Sequence, residues 1–176
     1  MKFVSLLLIL FVVQTAAAQT VKEADPADVS SVDAIMKAVY DVISGDAGKA
    51  RDWDRFRTLF HKDARMIPTG KNPQTNVVRA TSFSPEDYIK RVEPVFAKEG
   101  FHEREKARHT ESYGNITHAF STYEAFRSLS DKTPFMRGIN SFQLLNDGKR
   151  WWIITIYWQA ETPDNLIPKK YLKSGK

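Results

Sequence analysis

Four long β-strand patterns fill the half of the chain that follows Gly100, and they restrict the fold to one built around a sheet. The patterns cover residues 101–113, 116–127, 135–146 and 149–160. Short turns at 114–115 and 147–148 separate neighbouring strands, and the Asp-Gly pair of the second turn is a strong signal for a two-residue hairpin. Hairpins join antiparallel neighbours, so these strands predict an antiparallel meander.

The residues before the sheet carry helical patterns. Apolar side chains recur at three- and four-residue steps in residues 30–46, where Ser30 or Ser31 can cap the helix. A short helix is predicted in residues 51–64, a short strand in 64–70, and a third helix that begins at Ser84 and ends or kinks at Pro94. Helices that precede an antiparallel sheet are typical of the α+β class, with the helices packed on one face of a curved sheet.

The N-terminal residues predict a targeting segment. Lys2 supplies a positive charge, an apolar stretch covers residues 3–13, and the three alanines at 16–18 fit a cleavage site. The stretch is too short to span a bilayer, so we expect a signal peptide over 1–18 and a secreted or periplasmic protein after cleavage near Ala18. The remaining chain is predicted to comprise a linker over 19–29, one domain over 30–161 and a basic C-terminal tail over 162–176.

Composition excludes several classes of function. The chain has no cysteine, which excludes disulfides, a lipid-anchored cysteine and thiol catalysis. Its formal net charge of +5 is accounted for by Lys2 and the four lysines that follow Asp164, so the folded part is close to neutral and no nucleic-acid partner is expected. No later stretch predicts a membrane span. The four histidines lack metal-ligand spacing, and neither a metal nor another cofactor is predicted.

Three segments carry a resemblance to a known family: SGD at 44–46, TLFHKDA at 58–64 and IYWQAE at 156–161. With the order of helices and strands, they resemble the nuclear transport factor 2-like superfamily, in particular its polyketide cyclase-like and ketosteroid isomerase-like members, including exported ones of unassigned function. The resemblance covers roughly residues 30–161. It implies a cone, in which helices close over a curved antiparallel sheet and leave a pocket at the wide end. It also implies a homodimer formed through the outer sheet face.

The resemblance does not carry over the family's catalytic residues. Ketosteroid isomerases use a tyrosine in the first helix, an aspartate base after the segment similar to TLFHKDA, and an aspartate acid in the penultimate strand. The positions that match by spacing are Ala38, Pro68 and Ser141, none of which is a strong base. That chemistry is therefore not expected, and the catalytic residues stay unassigned. Trp158 matches an aromatic side chain of the pocket wall in those enzymes.

The two turns predict which residues pair across the strands. If each turn has two residues, the expected pairs are Leu144–Trp151, Ser141–Ile154, Arg137–Trp158, Glu111–His118, Arg108–Ser121 and Lys106–Tyr123. The match at Trp158 then directs one set of side chains toward the pocket: Arg137, Ile139, Ser141, Gln143, Trp152, Ile154, Ile156 and Trp158. The family's pattern of small residues adds Thr117, Ala119, Ser121, Tyr123 and Ala125. The opposite face, with Trp151, Ile153 and Tyr157, is expected to form the dimer interface.

The predicted ligand-binding residues are Arg108, Tyr123, Arg137, Ser141 and Trp158. Two guanidinium groups beside aromatic walls suit a small anionic ligand, because arginine offers bidentate hydrogen bonds and stacking. The alternative is that both arginines reach solvent or pair with glutamates at the rim of the sheet, namely Glu103, Glu105 or Glu124. A second candidate site, Glu111 facing His118, suits either a general base with its orienting partner or a cross-strand charge pair on the outer face.

Three functional hypotheses remain. The first is a binding or accessory domain for a small organic ligand with an apolar body, anionic if the two arginines bind it. The second is an isomerase, dehydratase or hydrolase that uses polar groups of the pocket, such as Tyr123, Arg137 and Ser141. The third is a structural dimer module whose cavity is filled by side chains. An enzyme should bury a titratable group among convergent polar groups, a binder needs only the cavity, and a structural module needs neither.

Overall fold

A computed structural model describes residues 22–175 as six β-strands, four α-helices and one 3-10 helix. The helices are α1 Pro26–Val29, α2 Val32–Ile43, α3 Trp53–Leu59 and α4 Pro85–Phe96, with the 3-10 helix at Lys169–Leu172. The strands are β1 Phe60–Lys71, β2 Val78–Ala80, β3 His102–Tyr113, β4 Ile116–Phe126, β5 Met136–Asn146 and β6 Trp151–Ala160. The predicted signal peptide and the first residues of the predicted linker lie outside the described residues.

The helices begin where the sequence supplies caps. The Ser31 hydroxyl accepts a hydrogen bond from the backbone N–H of Ala34 at the start of α2. At the start of α4, Ser84 and Asp87 form a reciprocal capping box. Pro94 lies inside α4, which ends two residues later. The three predicted helices are confirmed, and α3 is shorter than predicted because β1 begins directly after it.

The six strands form one curved, open sheet in the order β2-β1-β6-β5-β4-β3. Strands β3 to β6 are antiparallel as predicted, whereas β1 runs parallel to β6. No short turn fixes the relative direction of β1 and β6, because β2, α4 and three further strands separate them in sequence. Helices α2, α3 and α4 pack on one face of the sheet, which we call the inner face. This architecture is the predicted α+β cone.

A β-bulge at Lys106 changes which side chains of β3 face inward. Two predicted pairs on the turn side of the bulge are confirmed, Glu111–His118 and Arg108–Ser121. The predicted Lys106–Tyr123 pair is wrong, because Lys106 is an extra residue and Glu105 pairs with Tyr123 instead. Side chains alternate along a strand, so the one-residue shift moves Glu105 and Glu103 to the inner face.

A second irregularity lies between β5 and β6. Their connection spans residues 147–150 instead of two residues, and Ile154 is an extra residue in β6. The predicted pairs Leu144–Trp151, Ser141–Ile154 and Arg137–Trp158 are wrong, and the observed pairs are Leu144–Ile153, Ser141–Tyr157 and Asn140–Trp158. The inner face of β5 therefore holds Asn140, Phe142 and Leu144. The β5 residues predicted to face the pocket point outward: Arg137, Ile139, Ser141 and Gln143.

Strand β6 has apolar side chains on its inner face on both sides of its extra residue, Ile154. Trp151 packs against the core and Ile153 is part of it, on the turn side of the bulge. Two residues beyond the bulge face inward as predicted, Ile156 and Trp158. The expectation that Trp151 and Ile153 form an outer interface is therefore wrong. Tyr157 does lie on the outer face, where 45% of it is exposed.

The core lies between the inner face and the helices. The prediction for the inner face of β4 is confirmed, because Ala119 and Tyr123 belong to the core and Ser121 contacts Tyr40 of α2. The predicted inner residues are all buried: Thr117, Ala119, Ser121, Tyr123 and Ala125. Phe56 of α3 and Phe142 of β5 are among the largest fully buried side chains. Each contributes a large apolar area, and aromatic side chains of this kind dominate the energetics of cores.

The C-terminal segment packs on the outer face and does not extend freely into solvent. The Thr122 hydroxyl donates to the carbonyl of Tyr171 at 2.6 Å, and the Gly175 N–H donates to the carbonyl of Arg108 at 3.1 Å. The ring of Tyr171 lies 4.9 Å from that of Phe120. Three lysines of the segment, at 169, 170 and 173, are exposed. The predicted basic tail therefore exposes these three charges, whereas the backbone that carries them is folded against β3 and β4.

Candidate functional site

A cavity of about 210 Å³ lies between the inner face of the sheet and helices α2, α3 and α4. Most of its wall is apolar, with aromatic contributions from Phe56, Phe142 and Trp158. Five polar side chains also line it: Tyr40, Tyr88, Glu103, Tyr123 and Asn140. Glu103 is the carboxyl among them, so the chemistry of the cavity depends on how this group is held.

Contacts from α2 and β5 hold Glu103 in the cavity once the bulge at Lys106 has turned it inward. The backbone N–H of Glu103 donates to the hydroxyl of Ser44 at 2.9 Å, which ties β3 to the end of α2. The carboxylate accepts a hydrogen bond of 3.1 Å from Asn140 Nδ2 on β5. Because backbone and side chain are both tethered, the carboxyl has a defined position in the cavity.

The surroundings of Glu103 raise its pKa. Burial removes water from the carboxylate and raises the pKa from 4.5 to about 7, while the hydrogen bond from Asn140 lowers it. Glu103 is half-buried as a whole residue, and it lines the cavity. With a pKa near neutrality, the acid and the base are both populated at pH 7, which suits a group that accepts and returns protons.

A directional chain of hydrogen bonds fixes the amide of Asn140. Asn140 Nδ2 also donates to the hydroxyl of Tyr40 at 3.1 Å. The Tyr40 hydroxyl lies 2.8 Å from Ser121 Oγ, and the Ser121 hydroxyl donates to Glu105 at 2.6 Å. Since Ser121 uses its one hydrogen on Glu105, Tyr40 donates to Ser121 and accepts from Asn140. The amide is therefore oriented with its N–H groups toward Tyr40 and Glu103.

The chain of hydrogen bonds that begins at Asn140 ends in ion pairs at the rim of the sheet. Glu105 lies 3.2 Å from Arg108 Nε, and Arg108 Nη2 donates to Asp33 at 2.6 Å. Burial raises the pKa of Glu105, whereas the hydrogen bond from Ser121 and the charge on Arg108 lower it. The net effect is a raised pKa, and in either protonation state an oxygen of the Glu105 carboxyl can accept the hydrogen bond from Ser121.

Two tyrosine hydroxyls in the cavity, on Tyr88 and Tyr123, have no hydrogen-bond partner within residues 22–175. Burial raises the pKa of both hydroxyls, and the charge of Glu103 raises it further, so both stay protonated. Gly138 leaves room for Tyr123, because a Cβ at that position would lie 2.5 Å from its hydroxyl oxygen. Each hydroxyl is free to donate to an oxygen atom of a bound molecule.

Two of the five predicted ligand-binding residues, Tyr123 and Trp158, come together in this cavity. Arg108 pairs with Glu105 at the rim of the sheet, as the alternative interpretation expected. Arg137 lies on the outer face, 2.7 Å from Glu161. The two guanidinium groups therefore do not meet in the inner cavity.

The remaining predicted residue, Ser141, also faces outward, and its hydroxyl lies 3.1 Å from His118 Nε2. Glu111, the predicted partner of His118, is exposed on the same outer face. This arrangement leaves Glu111 outside the inner cavity, so it does not take part in the chemistry there.

Four polar residues of the cavity were missed by the sequence interpretation: Tyr40, Tyr88, Glu103 and Asn140. Glu103 and Asn140 were placed on the wrong face, because the extra residues Lys106 in β3 and Ile154 in β6 were not foreseen. Tyr40 carried a usable signal, since it follows Met36 by four residues on the buried face of α2. A tyrosine at such a position usually has a buried hydrogen-bond partner for its hydroxyl.

The described residues were also compared with the requirements for a metal site and for a membrane-spanning helix. Over residues 22–175, no three His, Cys, Asp or Glu side chains come together as a metal site requires. In the same part of the chain, no helix is both long and apolar enough to cross a bilayer.

Solved structures of low sequence identity share this architecture. The chain is similar to a proposed β-subunit of an aromatic-ring-hydroxylating dioxygenase from Novosphingobium aromaticivorans DSM 12444, with a TM-score of 0.52 and 13% identity over 80% of this chain and 88% of that chain. A proposed calcium/calmodulin-dependent protein kinase II association domain from Xanthomonas campestris gives a TM-score of 0.51 at 17% identity, over 75% of this chain and 86% of that chain. An NTF2-like protein of unknown function from Methylobacillus flagellatus KT gives a TM-score of 0.48 at 18% identity, over 75% of this chain and 95% of that chain.

The chain has the nuclear transport factor 2-like fold. No protein-family profile matches the chain, and no curated protein matches it. The likeness to these solved structures therefore establishes the fold, and it does not establish the function.

Within the nuclear transport factor 2-like fold, the carboxyl of this cavity comes from an unexpected strand. The three positions compared with catalytic groups of ketosteroid isomerases lie on α2, β1 and β5, and none is a strong base (Ala38, Pro68 and Ser141). Glu103 lies on β3 and reaches the cavity because of the bulge at Lys106. An irregularity in one strand thus places a carboxyl group in the cavity, which none of those three positions does.

Proposed function

We propose that the inner cavity is the active site of a proton-transfer enzyme of the isomerase or dehydratase type, acting on a small, uncharged carbonyl compound with an apolar body. The observation that carries this proposal is the carboxyl of Glu103, buried among Asn140, Tyr88 and Tyr123 in an otherwise apolar cavity. A buried titratable group among convergent polar groups is what distinguishes an enzyme from a simple binder.

The proposed reaction begins with ionised Glu103. Its carboxylate removes a proton from a carbon next to the carbonyl group, and the electron pair of the C–H bond moves toward the carbonyl oxygen. A tyrosine hydroxyl, from Tyr88 or Tyr123, donates a hydrogen bond to that oxygen as negative charge develops on it. The protonated Glu103 then returns the proton while the electrons of the enolate re-form the C=O bond. In a β,γ-unsaturated substrate the proton goes to the γ-carbon and the C=C bond moves next to the carbonyl group, which isomerises the substrate. In a substrate with a hydroxyl on the β-carbon the proton goes to that hydroxyl, the C–O bond breaks, a C=C bond forms and water is released.

The hydrogen-bond chain supports this reaction by holding the base in position. Asn140 donates to Glu103 and is itself oriented through Tyr40 and Ser121. A fixed carboxylate reacts from a single direction, which lowers the entropic part of the barrier. Asn140 is therefore a positioning residue that also lowers the pKa of Glu103.

The walls of the cavity favour an uncharged substrate. No lysine or arginine lines this cavity in the described part of the chain, and its carboxyl would repel an anion when ionised. An apolar cavity of about 150 Å³ holds benzene. The volume of about 210 Å³ therefore suits a molecule of one ring or two small fused rings.

The proposal is tested with 1-indanone, a small aromatic ketone, dissolved in D₂O with the protein at pH 7. NMR follows the exchange of the two hydrogens next to the carbonyl group for deuterium. We expect the protein to accelerate the exchange and to exchange one of the two faces preferentially, because Glu103 has one fixed position. Exchange at the rate found in buffer alone, or of both faces equally, contradicts the proposal and leaves a binding or accessory role for the cavity.

We also propose that the protein dimerises through the part of the outer face that the C-terminal segment leaves uncovered. An apolar row crosses four paired strands there: Tyr113, Ile116, Leu145 and Trp152. Tyr113 is 85% exposed and Ile116 is 62% exposed. Exposed apolar rows of this kind are typical of association surfaces.

Ile116→Glu is expected to convert a dimer into a monomer, because it places a charge in the middle of that row. Size-exclusion chromatography with light scattering measures the mass. Leu166→Glu is the matched control, since Leu166 is 67% exposed but lies on the C-terminal segment. A wild-type protein that is monomeric at micromolar concentration contradicts the proposed interface.

We further propose that the protein is exported and acts outside the cytoplasm. The support is the pattern of the first eighteen residues, with Lys2 before an apolar stretch and small residues at 16–18. Expression with the full leader in a secreting host is expected to yield a mature N-terminus at Gln19, as read by mass spectrometry of the intact protein. Recovery of the uncleaved chain in the cytoplasm contradicts the proposal.

A further inference from the structure

A second cavity, of about 310 Å³, lies on the opposite side of the sheet from Glu103. Its floor is the outer face of β4, β5 and β6, and its roof is the C-terminal segment between Glu161 and Tyr171. This volume lies in the range of small-molecule sites, roughly 300–1,000 Å³. We propose that this cavity binds a flat, uncharged aromatic molecule that carries one hydroxyl group.

The roof of the cavity is held at both of its ends. At one end, the Glu161 carboxylate accepts a hydrogen bond of 2.9 Å from the Ile167 N–H. At the other end, Thr122 binds the carbonyl of Tyr171, and His109 Nε2 donates to the carbonyl of Lys170 at 2.8 Å. These tethers keep the segment above the sheet without side chains that fill the space beneath it. A ligand therefore finds a site whose backbone needs no further ordering.

The wall chemistry favours an aromatic occupant. Four aromatic side chains line the cavity: Phe120, Tyr157, Trp158 and Tyr171. Tyr157 is 45% exposed and Leu166 is 67% exposed, although both line the cavity. A flat molecule that stacks among the rings would cover this apolar surface, and removal of such surface from water is favourable.

The polar side chains that line the cavity include Ser141, Gln159 and Asn165, and Ser141 is placed to hold one hydroxyl group of an uncharged ligand. Ser141 Oγ lies on the floor, 3.1 Å from His118 Nε2, and can accept a hydrogen bond from a ligand hydroxyl while it donates to the imidazole. Glu161 is the one charged side chain lining the cavity in the described residues, and it is neutralised by Arg137 at 2.7 Å. Neither an anion nor a cation would find a free counter-charge.

This site does not depend on the proposed proton transfer. The inner cavity holds the carboxyl of Glu103, whereas the outer cavity offers a serine hydroxyl on the other face of the same sheet. Trp158 lines both cavities. A signal from Trp158 would not tell the two cavities apart, so binding must be measured at residues that line only one of them.

The experiment titrates 2-naphthol into protein whose isoleucine methyl groups are ¹³C-labelled. Ile139 and Ile167 line the outer cavity, and Ile43 and Ile156 line the inner one. We expect saturable shifts of the Ile139 and Ile167 methyl signals with a Kd of about 100 µM or lower, as befits a ligand of this size. Shifts confined to Ile43 and Ile156, or no saturation by about 1 mM, overturn the proposal.

Ser141→Ala separates the hydroxyl contact from general apolar binding. We expect it to weaken binding at least about fivefold, because the ligand hydroxyl loses its partner. Gln143→Ala is the matched control, since Gln143 lies on the same face of β5 but does not line the cavity, and it should bind as the wild type does. Ile139→Trp fills the cavity and should abolish the saturable shift of Ile167. Equal affinity in Ser141→Ala and the wild type overturns the assigned contact.

Discussion

Glu103→Gln is expected to slow the exchange of the 1-indanone hydrogens at least about 100-fold, because an amide cannot accept the proton. The same change is expected to stabilise the folded protein above pH 7, by about 1–3 kcal/mol at pH 8. The neutral glutamine side chain keeps the shape of the carboxyl, and it avoids the cost of burying a negative charge in an apolar cavity. Urea titrations of both proteins across pH 4–9 measure the difference in free energy of unfolding.

The sign of this stability effect follows from the raised pKa of Glu103. The folded protein holds the proton up to about pH 7, whereas the unfolded chain releases it near 4.5. Between these two values the folded state binds more protons, so the contribution of Glu103 to stability falls as the pH rises. That contribution is fully present below pH 4.5 and is lost above pH 7. Glu103→Gln lacks this fall, and the two proteins should differ least near pH 4.

Glu111→Gln is the matched control for this experiment. Glu111 lies on the same strand as Glu103, but its side chain is exposed on the outer face. We expect the exchange rate of this variant to equal that of the wild type. If Glu111→Gln slowed exchange while Glu103→Gln did not, the outer pair of Glu111 and His118 would be the acid–base site instead.

Arg51→Ala is expected to lower the free energy of unfolding by about 3 kcal/mol or more. Arg51 is 8% exposed, and its guanidinium donates to backbone carbonyls at the end of α2 and in the loop between α2 and α3. The acceptors are the carbonyls of Ile43 at 3.0 Å, Gly45 at 2.7 Å and Asp46 at 3.2 Å, together with that of Lys49. Removal of the side chain leaves these partly buried acceptors without their donors.

The loss should also reach the cavity wall. The Arg51 guanidinium lies 5.0 Å from the ring of Phe96, and Gly45 exchanges two backbone hydrogen bonds with Phe101. Both phenylalanines line the inner cavity. Thermal and urea unfolding measure the change in stability, and ketone exchange measures the change in the cavity.

Arg57→Ala is the control for Arg51→Ala. Its guanidinium pairs with Glu86 and Asp54 at an exposed position, where ion pairs contribute little, and we expect a change below about 1 kcal/mol. If both variants lost the same free energy of unfolding, the hydrogen bonds from Arg51 to the loop would not be a special source of the protein's stability.

Local signals in the sequence were sufficient to predict the fold class and most of its elements. Helix α4 was predicted from Ser84 and Pro85, because caps and N-terminal prolines act within a few residues. The meander of β3 to β6 was predicted from its turns and strand patterns. The parallel pairing of β1 with β6 has no such signal, since it depends on contacts between residues far apart in the chain.

The candidate site was harder to predict, because two extra residues decide which side chains face inward. Lys106 and Ile154 have no special backbone signature in the sequence, yet each shifts its strand by one residue. The shift at Lys106 brings Glu103 inward, and the shift at Ile154 places Asn140 instead of Arg137 opposite the inward-facing Trp158. The longer connection after β5 moves the register by two residues and leaves the faces unchanged. The inner face of β4 was predicted correctly because that strand contains no irregularity on its turn side.

The most direct test of the proposed site is the pKa of Glu103 in the folded protein. Protein labelled with ¹³C at the glutamate carboxyl carbons is titrated by NMR between pH 3 and 9, and the Glu103 signal is assigned by its absence from Glu103→Gln. A buried carboxyl in the inner cavity should titrate at about pH 7. A midpoint near 4.5 would show a solvated carboxylate and contradict the proposed active site.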